Sequence, residues 1–126
     1  MKIEHPNKKY NIEFEWKGEL CMSGPEHGVI TIDSDFEVTG AQPSVAFSSD
    51  GELMAFPAIK FPPNPRDLPS SGIGIAIVNL NSKIVRHIAG NKGFSDYKLE
   101  KIEGNKIYCQ RNGKPEIYDI GKINWA

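Results

Sequence analysis

The sequence predicts an all-β protein, an antiparallel sandwich or propeller-like sheet stack of about ten short strands joined by hairpins, with little or no helix. Three observations carry this. Apolar residues alternate or run together over short stretches, and no segment shows a capped 3.6-residue period. Turn signals recur along the chain, among them Asp50-Gly51, Gly104-Asn105 and Asn112-Gly113. Nine Pro and twelve Gly leave little room for long helices. A chain of 126 residues reads as one domain, residues 1–126, with a single core.

The elements follow in order. Tyr10 to Trp16 alternates, with Ile12, Phe14 and Trp16 pointing one way and Asn11, Glu13 and Glu15 the other. Lys17-Gly18 reads as a turn into a short run ending at Met22, and Ser23-Gly24-Pro25 as a break. Val29 to Asp33 is a strand that pairs with Phe36 to Thr39 across Asp33-Ser34-Asp35. Val45 to Phe47 and Glu52 to Ile59 are the arms of a hairpin at Asp50-Gly51, where a primed turn requires positive φ angles. Residues 57–72 hold five prolines, which argues that most of this stretch is a long surface loop and not a central strand. Ile73 to Leu80 is apolar almost throughout, as suits a central strand buried on both faces. Asn79 to Ser82 turns the chain into Lys83 to Ala89. Tyr97 to Glu103 and Lys106 to Arg111 flank Gly104-Asn105, and Glu116 to Ile120 is the last strand. One helical turn fits only at Asp96 to Lys101. Ile123 and Trp125 are expected to tuck against the core.

Apolar content of 39% and charged content of 25% are ordinary for a soluble globular protein. No apolar run reaches the length of a membrane-spanning helix. The segment MKIEHPNKKYNIEF lacks an apolar stretch of the secretory kind, so a cytoplasmic location is expected. Cys21 and Cys109 read as two free, buried thiols. A net charge of −1 gives no bulk attraction to nucleic acid or membrane. The distribution is uneven: residues 1–60 carry ten acidic and five basic side chains, residues 61–126 six acidic and ten basic. Most of the acidity lies in Glu13, Glu15, Glu19, Glu26, Asp33, Asp35 and Glu37, opposed only by Lys17 in that stretch. This predicts an acidic face.

Catalytic and metal-binding patterns do not emerge. His5, His27 and His87 lack the spacing of a metal pair, and Cys109 is remote from Cys21 and His27. No serine sits in a G-x-S-x-G elbow. Gly72-Ile73-Gly74 is not followed by the Lys-Ser/Thr of a phosphate loop. Asp33-Ser34-Asp35 resembles the start of a calcium loop but lacks its sixth-position Gly and twelfth-position Glu, so it reads as a turn. Lys98, Lys101, Lys106 and Arg111 lie near Tyr97 and Tyr108, but Glu100, Glu103 and Glu116 interleave with them, against direct nucleic-acid binding. The expectation is a protein that is not an enzyme, with no cofactor, no metal and no membrane partner.

Two resemblances add to this. VAFSSDGELMAF, at the start of residues 44–90, resembles the "FSPDG..LA" signature of WD-repeat and TolB-like β-propeller blades. Ser49 stands where the signature has proline, and Asn79-Leu80 where a Trp-Asp pair would close the blade. Two and a half blades do not close a ring, so this resemblance implies a sheet stack, or a self-associating propeller fragment with a self-complementary edge strand. In size, and in GPEHGVITID, SVAFSSDGELMAF and IAIVNL over residues 24–80, the chain is similar to immunity proteins of bacterial contact-dependent inhibition and polymorphic toxin systems. That resemblance implies a non-catalytic protein-binding module, a monomer or small oligomer, that occludes the active site of a cognate toxin. The toxin would be a nuclease with a basic cleft. Glu13, Glu15, Glu19, Glu26, Asp33, Asp35 and Glu37 would face it, with Trp16 and Phe61 as aromatic anchors. A corollary is that Glu13, Glu15, Asp33 and Asp35 share one exposed face.

Overall fold

A computed structural model describes residues 1–19, 26–59, 72–90 and 95–125. Among them there are eleven strands and no helix. They are β1 (Lys2–Ile3), β2 (Ile12–Glu19), β3 (Glu26–Ile32), β4 (Phe36–Ala41), β5 (Ala46–Phe47), β6 (Leu53–Ile59), β7 (Ile73–Asn79), β8 (Ile84–Gly90), β9 (Tyr97–Glu103), β10 (Lys106–Arg111) and β11 (Lys114–Asp119). All pairings are antiparallel. One sheet runs β1-β2-β3-β4-β6-β7-β8, with β5 also on β6; the other runs β11-β10-β9. Neither closes into a barrel.

The larger sheet behaves as two halves. β4 and β6 meet only at Ala41 opposite Ala58, reinforced where the Gln42 N–H donates to the Pro57 carbonyl at 3.0 Å. The halves pack face to face around a first core. Ile12, Phe14, Ile30, Ile32 and Val38 come from one side, and Met54, Phe56, Ala76 and Val78 from the other. The opposite faces of β6 and β7, through Ala55, Ile59, Ile73, Ile75 and Ile77, meet Tyr97, Leu99, Ile102, Ile107 and Cys109 of the smaller sheet in a second core. Strands β6 and β7 therefore form a middle layer with no solvent face. This is why 73–80 reads as continuous apolar sequence, and each such side chain contributes about 1.5–3 kcal/mol by burial. Ile123 and Trp125 pack at the edge of the second core, as expected.

The turns follow local chemistry. Asn112 and Gly113 both have positive φ, 52° and 81°, as a two-residue primed hairpin demands. At the Asp50-Gly51 turn only Gly51 does, with φ 75°. That connection is a four-residue turn, closed by the Gly51 N–H on the Ser48 carbonyl at 2.9 Å and braced by Ser48 Oγ and the Glu52 N–H, both donating to Asp50 Oδ1 at 2.6 and 2.9 Å. The Ser48 hydroxyl holds Asp50 below the usual carboxylate range. In the β7–β8 turn, Asn79 Oδ1 accepts the N–H groups of Asn81 and Ser82.

Several elements differ from the sequence-based expectation. Lys17-Gly18 is no turn: β2 continues to Glu19 through a bulge, where Trp16 opposes Gly28 and Gly18, with φ 127°, opposes His27. Pro57 keeps to the expected Glu52 to Ile59 arm, buried in central strand β6 opposite Ile75, although proline is rare in such a strand. A strand residue's N and C=O point to the same side, and the Pro57 carbonyl serves Gln42. Its missing N–H thus faces the gap between β5 and β4, and the β7 ladder loses nothing. Asp96 to Lys101 forms no helical turn; β9 begins at Tyr97. The edge strand β1 has no counterpart in the sequence reading. The expected run past Glu19 to Met22, Cys21, the break at 23–25, most of the proline-rich stretch with Phe61, and residues 91–94 lie outside the described residues.

Before β2, the chain clamps onto the second half. Buried His5 donates Nε2–H to the Gly51 carbonyl at 2.7 Å and accepts the Lys9 N–H on Nδ1 at 3.3 Å. Its ring meets Tyr10 and Phe47 edge-on, at 5.1 and 5.3 Å. Lys9 Nζ and the Tyr10 hydroxyl both donate to Glu52, at 2.9 and 2.7 Å, which lowers the Glu52 pKa.

Candidate protein-binding face

The first half has an outer surface set by strand alternation. On β2, Ile12 and Phe14 go to the core, so Glu13 and Glu15 go out. Register then aligns a row across the sheet: Lys2 opposes Glu13, Glu13 opposes Thr31, and Thr31 opposes Glu37. The next position along sets Glu15 against Val29. Glu15 pairs with Lys17 at 3.1 Å, both well exposed, a contact worth little in water. Among the described residues Glu13, Glu26 and Glu37 have no ion-pair partner.

Trp16 follows the core-facing parity of Phe14 but runs past the rim of the core. It is 51% exposed, one of few large apolar side chains so placed. Its ring stands perpendicular to Phe14, with centroids 4.7 Å apart. Opposite is Gly28, where a Cβ would come within 2.7 Å of Phe14 Cζ and 2.1 Å of the Glu15 carbonyl oxygen. The glycine thus lets the bulged strand and its aromatic pair approach. Two open hollows flank the indole. One, about 360 Å³, is lined by Met1, Glu13, Phe14, Glu15, Trp16 and Thr31; the other, about 220 Å³, is lined among the described residues by Trp16, Gly18 and Glu26. At this end of the hairpin Glu19 and Glu26 occupy opposed positions. The Glu19 side chain itself lies outside what the structure describes.

The remaining acids are elsewhere. Asp33 and Asp35 sit in the β3–β4 turn, off the outer face and several strand residues from Trp16, about 20 Å along the sheet. Asp33 is already engaged. Its carboxylate accepts the Asn11 N–H at 2.9 Å and Lys83 Nζ at 3.2 Å. Those bonds, the backbone one foremost, hold its pKa below the usual carboxylate range. Asp35 reaches the same lysine at 4.0 Å. The expected acidic set therefore divides: Glu13, Glu15 and Glu37 on the outer face, Glu26 and Trp16 at the rim, and Asp33 and Asp35 in a structural brace. Phe61 lies outside the described residues. The sequence reading missed Lys2 in the outer row and Gly28 beneath the aromatic pair. A glycine among apolar strand residues is a signal for such close approach.

The groups with displaced pKa values in the second core are structural. Burial pushes the Cys109 thiol up to about 11, which keeps it protonated and unreactive. Burial and donation to Glu116 raise Tyr118 strongly. Among the described residues no three His, Cys, Asp or Glu side chains are placed to hold a metal ion together, and no helix is long and apolar enough to cross a membrane. No protein family matches the chain, and neither does any curated protein or solved structure.

Proposed function

We propose that the chain is a protein-binding module that docks a basic protein partner at the Trp16 rim of the first half. The observation that carries this reading is Trp16 itself, an indole half in solvent, standing between two hollows and bordered by Glu13, Glu15 and Glu26. A large rigid aromatic ringed by acids suits a partner that offers an apolar pocket within a cationic surface. Together with the resemblance over residues 24–80, this is best read as an immunity protein that occludes the basic active site of a cognate toxin. The acids speed and orient the encounter while the indole supplies the buried anchor.

The test is affinity capture from the native host with mass spectrometry, followed by binding kinetics with the captured protein. The expected partner is a basic toxin domain bound one to one. Trp16→Ala should raise the dissociation rate by at least about tenfold, a loss of 1.4 kcal/mol or more. Glu15→Lys with Glu26→Lys should slow association and flatten its salt dependence. Binding unchanged by all three substitutions would remove this rim from the interface.

A further inference from the structure

Among the described residues, the smaller sheet ends in an edge, β11, that no further strand covers. Its other edge, β9, is covered where the Leu99 N–H donates to Ser44 Oγ at 3.0 Å. β11 pairs with β10 alone among the described strands. The two-residue turn at Asn112-Gly113 makes Arg111 and Lys114 the pair that exchanges both ladder bonds. Lys114, Glu116 and Tyr118 therefore aim their main-chain groups at β10. Pro115, Ile117 and Asp119 aim theirs outward.

We propose that β11 pairs antiparallel with β11 of a second copy, about a two-fold axis through Ile117, joining two three-stranded sheets into one of six strands. Four considerations select this occupant and this register. A two-fold between antiparallel edges keeps each face on its own side, so only same-parity positions oppose each other. The axis through Ile117 sets the outward-pointing positions against one another, Ile117 on Ile117 and Asp119 on Pro115. This gives four main-chain hydrogen bonds and asks none of the proline nitrogen. It also places Glu116 against Tyr118 of the partner, an acceptor against a hydroxyl, so the phenol that now donates to Glu116 of its own chain has a second carboxylate to which it can donate instead. Shifting the axis one residue toward the turn sets Glu116 on Glu116; shifting it the other way sets Ile117 on Asp119. Both are unfavourable cross-strand pairs.

The outer face agrees with this arrangement. Register runs Lys101, Tyr108, Ile117 across the sheet. The lysine ammonium lies 4.9 Å from the Tyr108 ring centroid, and Ile117 is 57% exposed. Pairing two copies turns this half-row into a continuous apolar stripe of Tyr108 and Ile117 from each chain, ended by a lysine on both sides. The exposed isoleucine, unexplained in a lone chain, becomes the centre of the stripe.

The experiment is sedimentation of the purified chain over a range of concentrations, with amide exchange read by NMR. The expected result is a reversible monomer–dimer equilibrium in which the Ile117 and Asp119 amides become protected as concentration rises. Ile117→Lys should weaken dimerisation by at least about tenfold, because two ammonium groups then face each other across the axis; Ile117→Val should preserve it. Circular dichroism checks that the lysine variant keeps its sheets. A chain monomeric at every concentration, a dimer indifferent to Ile117→Lys, or protection on another edge would each overturn the proposal. This edge is separate from the Trp16 rim, so the two readings stand or fall independently.

Discussion

Gly51 and His5 form a tight joint between the N-terminal segment and the second half. A Cβ at position 51 would stand 2.9 Å from the imidazole Cε1, and the backbone there has φ 75°. Gly113 has a similar φ of 81° but open space around it. Gly113→Ala should cost about 1–2 kcal/mol, the penalty of a left-handed alanine alone. Gly51→Ala should cost about 1–3 kcal/mol more, because the imidazole must also move. Urea midpoints of the two variants compare them directly, and equal losses would show that the His5 clamp yields freely. The turn role of Gly51 was legible in the sequence, since Asp-Gly between apolar runs is a local signal. The imidazole that presses on it was not, because nothing local in a lone histidine near the N-terminus points to a carbonyl 46 residues away.

Between elements, the brace at Asp33 ties three hairpin ends together: the start of β2 through Asn11, the β3–β4 turn, and the β7–β8 turn through Lys83. Its pKa is lowered in the folded chain, so its stabilisation is present above the ordinary aspartate range and is lost as pH falls through the folded value. Asp33→Asn should lower the urea midpoint at pH 7, with the gap to the parent chain closing as both are taken to pH 3. A gap that persists at pH 3 would mean that the charge is not the source. The strands themselves were read well wherever one local rule acts alone, as alternation does in β2 and continuous apolarity in β7. The reading failed where pairing partners decide. The Glu52 to Ile59 arm was legible, but not the reason it tolerates Pro57 in a central strand, which is that the proline nitrogen falls at a seam between neighbours. Gly18 is a bulge because β3 continues beyond it. The acidic stretch was legible as composition, yet its division among an outer face, a rim and a brace depends on register.

For the molecule as a whole, β6 and β7 belong to both cores, so neither core can melt alone without exposing the other. The two tryptophans report on this separately, Trp16 at the rim of the first half and Trp125 at the edge of the second core. Trp16→Phe and Trp125→Phe variants, each leaving one indole, should unfold in urea with coincident curves by fluorescence and circular dichroism. Separated midpoints would show that the layers melt independently. The pairing order has a further effect, on kinetics. Every ladder joins strands consecutive along the chain except β4 with β6, and that one skips only the two-residue β5. A sheet protein built this way has little loop entropy to overcome, so the leading phase of refolding in stopped-flow fluorescence should be fast for an all-β chain. During synthesis each strand finds its neighbour almost as soon as it leaves the ribosome, and the clamp of His5 on Gly51 waits only for the first arm of the second half.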